Sequence, residues 1–83
     1  MKEHMRAKIR LNTMKEIETF IDQLNRIGGA DKLMVEDFDG KQRVSARSVV
    51  GMLYAMTDFN DDMYFVNDTN DGVFPNFIDA YRV

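Results

Sequence analysis

The feature that most constrains the fold is a strict alternation of apolar and polar side chains along residues 5–11. The apolar positions are Met5, Ala7, Ile9 and Leu11. A period of two predicts a β-strand with one buried face. Directly afterwards, Thr13 and Glu16 have the spacing of a capping box, in which the Thr13 hydroxyl accepts from the Glu16 amide and the Glu16 carboxylate returns to the Thr13 amide. The chain is therefore expected to pass from strand to helix within a few residues.

The predicted first helix has an apolar stripe at helical spacing, and its end is expected at Gly28-Gly29. The stripe consists of Ile17, Phe20, Ile21, Leu24 and Ile27. Residues 33–38 and 41–46 are then predicted as two strands, joined by a turn at Asp39-Gly40. The buried face of the first of these strands stays open, because its odd-numbered and even-numbered positions both carry apolar side chains.

The second half of the chain predicts one more strand between two helices. Ser48 is placed to cap a short second helix. Residues 57–62 are polar and predict a loop, and residues 63–66 predict the fourth strand. A last helix is predicted from Val73, Phe74, Phe77, Ile78 and Tyr81, with Pro75 tolerated in its first turn.

The resulting order, β-α-β-β-α-β-α, predicts an α/β protein of the two-layer α+β kind, with an antiparallel sheet and helices on one face. Residues 1–83 are expected to form one domain. The chain is 45% hydrophobic, which favours a packed core, and it contains no cysteine, which fits a reducing compartment. No signal peptide or membrane span is recognisable, so a cytoplasmic location is expected.

Neither an enzyme nor a cofactor or metal site is predicted. No Ser-His-Asp constellation, metal-ligand cluster or glycine-rich phosphate loop occurs, and a net charge of −3 argues against nucleic acid as the main partner. Residues 68–72 look like a calcium loop, but the glycine comes one position early and the closing glutamate is missing. His4 is the single histidine, and we expect it on the surface of the first strand.

Residues 44–53 resemble the regulatory-serine motif of the HPr family, the histidine phosphocarriers of the sugar phosphotransferase system. In this chain the segment reads Val-Ser-Ala-Arg-Ser-Val-Val-Gly-Met-Leu, and every position matches the family pattern or replaces it conservatively. The resemblance implies an open-faced sandwich with strand order 1-4-2-3 and three helices on one face. It also implies that the starts of the first two helices are neighbours.

The same resemblance shows what this chain lacks. HPr proteins carry Gly-[Leu/Ile]-His-x-Arg-Pro-Ala before the first helix, and the histidine accepts the phosphoryl group. Here residues 11–17 read Leu-Asn-Thr-Met-Lys-Glu-Ile. One alignment puts Thr13 at the histidine position and Lys15 at the arginine position, whereas an ungapped alignment from Ser48 puts the histidine near Glu16. Neither yields an imidazole nucleophile, and a phosphothreonine ester is too stable to relay the group.

The expected function is therefore that of an HPr-like, non-catalytic binding or regulatory module in a bacterial cytoplasm, with a protein partner. The alternatives are a divergent phosphocarrier and an orphan interaction scaffold from another pathway. Ser48 is a candidate phosphorylation site as well as a helix cap. The second helix has more apolar residues than one buried face can hold, and the candidate partner interface consists of Val49, Met52, Leu53 and Met56.

Basic residues form a stripe on the outer face of the predicted first strand. The stripe contains Arg6, Lys8 and Arg10, and Arg43 is positioned to extend it. Pairing with acids from neighbouring strands is the favoured interpretation, and an anion-binding surface is the alternative.

Overall fold

A computed structural model describes residues 6–27, 32–59, 62–67 and 74–83. Its elements, in chain order, are β1 (Arg6–Ile9), α1 (Met14–Asn25), β2 (Leu33–Glu36), β3 (Arg43–Ser45), α2 (Val49–Asp58), β4 (Met63–Asn67) and a 3₁₀ helix (Asn76–Ala80). The expected end of α1 at Gly28-Gly29 lies outside the described residues. None of the described helices is both long enough and apolar enough to cross a bilayer.

The four strands form one antiparallel sheet in the order β1-β4-β2-β3, which confirms the predicted strand order. The register of the strand pairs shows which side chains share each face of the sheet. Ala7, Phe65, Val35 and Val44 lie side by side in one row, and the next row contains Lys8, Tyr64, Glu36 and Arg43. Because side chains of paired residues share a face, the first row points into the core and the second points away from it.

The buried face of β2, which the sequence left open, is the one that carries Leu33 and Val35. Both side chains join the core cluster, whereas Met34 lies half-buried on the opposite face. Phe38 follows the end of β2 and is mostly exposed. The predicted turn is present: Gly40 has a φ of 73°, a conformation that favours glycine, and its amide donates to the Asp37 carbonyl over 3.1 Å.

Both α-helices and the 3₁₀ helix contribute to a single hydrophobic core against the inner face of the sheet. Phe20 of α1 lies at its centre and is fully buried. Its ring makes edge-to-face contacts with Phe65, Phe77 and Tyr81, at centroid distances of 5.8, 5.6 and 5.1 Å. One side chain therefore joins α1 to the sheet, to the 3₁₀ helix and to the segment after it.

One predicted helix boundary and one predicted helix type are wrong. The sequence predicts a loop over 57–62, but α2 continues to Asp58, because the buried Phe59 anchors its end and donates its amide to the Ala55 carbonyl. The third predicted helix is a five-residue 3₁₀ helix. Pro75 precedes it without a side-chain cap, and the short turn suffices to bury Ile78 beside the half-buried Phe77.

The last residues cover the outer edge of β1. The Arg10 amide donates to the Tyr81 carbonyl over 2.9 Å, and the Val83 amide donates to the Lys8 carbonyl over 3.1 Å. Ile9 and Arg82 form an antiparallel bridge between these two hydrogen bonds. The outer edge of β1 is thus paired with residues 81–83 of the same chain.

We expect the Phe20→Ala substitution to lower the free energy of unfolding by about 3–5 kcal/mol, because it leaves a cavity and removes three ring contacts. Urea denaturation measures the loss. Thr19→Ala is the matched control, since Thr19 is exposed on the same helix and should change stability by less than about 0.5 kcal/mol. A loss below about 1 kcal/mol for Phe20→Ala would contradict the central position of this ring.

Candidate functional site

At the start of α1, where the resemblance places the HPr histidine, the Thr13 hydroxyl and the Glu16 carboxylate are both engaged in capping hydrogen bonds. Thr13 is the N-cap residue, and its hydroxyl oxygen accepts from the Glu16 amide over 3.1 Å. The Glu16 carboxylate returns to the Asn12 amide over 2.9 Å, so the expected return to the Thr13 amide is wrong by one residue. The hydroxyl that replaces the family nucleophile in one alignment is therefore engaged as a helix cap.

A cavity of about 360 Å³ lies beside this helix start. It is lined by Thr13, Lys15, Glu16, Thr19, Ala80 and Tyr81. Burial, and to a smaller extent the Glu16 carboxylate, raises the pKa of Tyr81 above its ordinary value. The Tyr81 hydroxyl donates to the Gln23 side-chain oxygen over 3.3 Å. Thr13, Lys15 and Glu16, which the resemblance places at the position of the HPr active site, thus share one cavity, and its described walls carry no imidazole or thiol.

The start of α2 is held close to the sheet. The Ser48 hydroxyl oxygen accepts from the Gly51 amide over 3.0 Å, which confirms the predicted cap. A Cβ on Gly51 would lie 3.1 Å from the Val44 Cβ and 3.3 Å from the Ser48 hydroxyl oxygen. The presence of the serine and the glycine in the HPr-like motif therefore has a structural explanation, because these two residues allow α2 to begin directly against β3.

A second cavity, of about 350 Å³, lies at this helix start and is lined by Asn25, Ser45, Arg47 and Ser48. The Arg47 Nε donates to the Asn25 side-chain oxygen over 3.0 Å. Asn25 is the last residue of α1, whereas Thr13 precedes its first residue, and a helix of 12 residues is about 18 Å long. The structure therefore does not bring the starts of α1 and α2 together, in contrast to the expectation from the resemblance.

The candidate interface on α2 needs one correction. Met52 is fully buried in the core, so it is not available to a partner. Val49 is exposed, and Leu53 and Met56 are partly exposed while packing against the core. Val50 and Tyr54, which are not among the predicted interface residues, are 78% and 44% exposed. We define the α2 surface as Val49, Val50, Leu53 and Tyr54.

Three residues of the basic stripe, Arg6, Lys8 and Arg43, form ion pairs with acids, and for Arg43 the acid lies on the neighbouring strand, as the favoured interpretation predicts. Glu36 is nearly buried on the outer face of the sheet and accepts from Arg43, with an Nε–Oε2 distance of 3.0 Å. The Arg6 Nε lies 3.3 Å from the other Glu36 oxygen, and its guanidinium stacks 4.1 Å from the Tyr64 ring centroid. The Lys8 Nζ lies 3.6 Å from the Asp62 Oδ1.

The described residues contain no group of three or more histidine, cysteine, aspartate or glutamate side chains that could hold a metal ion. The calcium-like segment 68–72 and His4 lie outside the described residues.

Comparisons of the chain with known protein families, with curated proteins and with solved structures found no match. The function of this protein is therefore inferred from its own residues.

We expect Ser48→Ala to lower the free energy of unfolding by about 0.5–2 kcal/mol, because the Gly51 amide loses its acceptor. Ser48→Asp should retain nearly all of the wild-type stability, since aspartate is an equally good cap and its charge suits a helix N-terminus. Thermal and urea unfolding of the two variants measure the difference. Equal losses for alanine and aspartate would contradict the capping role and would indicate that the serine is needed for packing alone.

Proposed function

We propose that this protein is an HPr-like binding module that does not relay phosphoryl groups and that binds a protein partner through the α2 surface. The observation that carries the proposal is the exposed apolar stretch of α2. No charged residue occurs between Ser48 and Thr57, although Val49, Val50 and Tyr54 are all exposed. A helix face that only meets water is normally polar, so a contiguous apolar patch favours a binding role.

The likeness to HPr is supported by the strand order and by the place of the motif. The sheet order β1-β4-β2-β3 is the one that the resemblance implies. The motif residues 44–53 also lie where the family has them, after the central hairpin and across the start of the second helix. We infer from this agreement that the chain is a divergent relative that keeps the sheet order and the position of the motif, and that it works in a bacterial cytoplasm.

The lack of relay chemistry is supported by the start of α1. A phosphocarrier needs a nucleophile whose phosphorylated form is labile enough to be passed on. Thr13 offers a hydroxyl that is already used as a cap, and Lys15 and Glu16 beside it are not histidines. The scaffold therefore serves recognition without group transfer.

Ser48 is the proposed point of regulation. It is half-buried and lies next to Arg47, at the edge of the α2 surface. A phosphate there would add about −1.5 to −2 charge at a helix N-terminus, where negative charge is tolerated. The fold would survive this modification, whereas the surface presented to a partner at that end of α2 would gain negative charge.

We expect no phosphoryl transfer to this protein from phosphoenolpyruvate and the first enzyme of the sugar phosphotransferase system. The measurement is the acid-labile phosphate on the protein, with an authentic HPr in a parallel reaction as the positive control. Labile phosphate on this chain would overturn the proposal in favour of the divergent phosphocarrier. His4→Ala would then test the single histidine as the acceptor.

We expect Val50→Glu to abolish the recovery of native partners from an extract of the source cell, because it places a charge in the middle of an apolar contact. Val83→Glu is the matched control, since Val83 is also exposed, at 60%, and lies outside the α2 surface. Circular dichroism establishes that both variants are folded. Recovery of the same partners by both variants would show that the α2 surface is not the one used.

A further inference from the structure

We draw no further inference here: the strongest candidate, the exposed apolar side of α2 around Val50 and Tyr54, belongs to the surface already proposed to bind a partner, and nothing in the described part of the chain shows what covers it.

Discussion

The edge-to-face contacts of Phe20 hold together parts of the chain that are far apart in sequence. Its ring touches Phe65 in the last strand, Phe77 in the 3₁₀ helix and Tyr81 in the segment that covers the edge of β1. Beyond the area that they bury, such ring pairs contribute about 0.5–1.5 kcal/mol each. In a domain of 83 residues this cluster is a large part of the net stability, and it lies on the side of α1 that faces the sheet and the carboxyl-terminal segment.

The helix α2 contributes fewer buried side chains to the core than α1 does. It is attached to the sheet at its start, through the Ser48 cap and the close approach of Gly51 to Val44, and at its end, through the buried Phe59. Met52 and Ala55 fill the space between these anchors. Val49 and Val50 lie outside this packing and are exposed, so they add little to the stability of the fold. Their exposure is the physical reason for proposing that this helix binds a partner.

Local signals in the sequence predicted the features that depend on local interactions. The alternation before Thr13, the Ser48 cap and the turn at Gly40 involve residues a few positions apart, and all three are present in the structure. The return of the Glu16 carboxylate to Asn12 was missed by one residue, because both amides are within reach of the same side chain. The strand order followed from the element order together with the family resemblance.

Features set by tertiary packing were harder to predict. In α2 the apolar residues surround the whole helix, so periodicity did not show that Met52 faces the core while Val50 and Tyr54 face outward. In β2 both faces carry apolar side chains, and only the register with β4 decides between them. The separation of the two helix starts depends on the relative direction of α1 and α2, which no local signal encodes.

The covered edge of β1 has a consequence for how this protein behaves when it is concentrated. Sheets grow into fibrils when an unpaired edge strand offers its amides and carbonyls to another chain. Here Tyr81 and Val83 supply the partners for β1, and the opposite edge strand, β3, is only three residues long and carries Arg43. The sheet is therefore a poor template for amyloid. The chain can expose an apolar helix surface without polymerising through its strands.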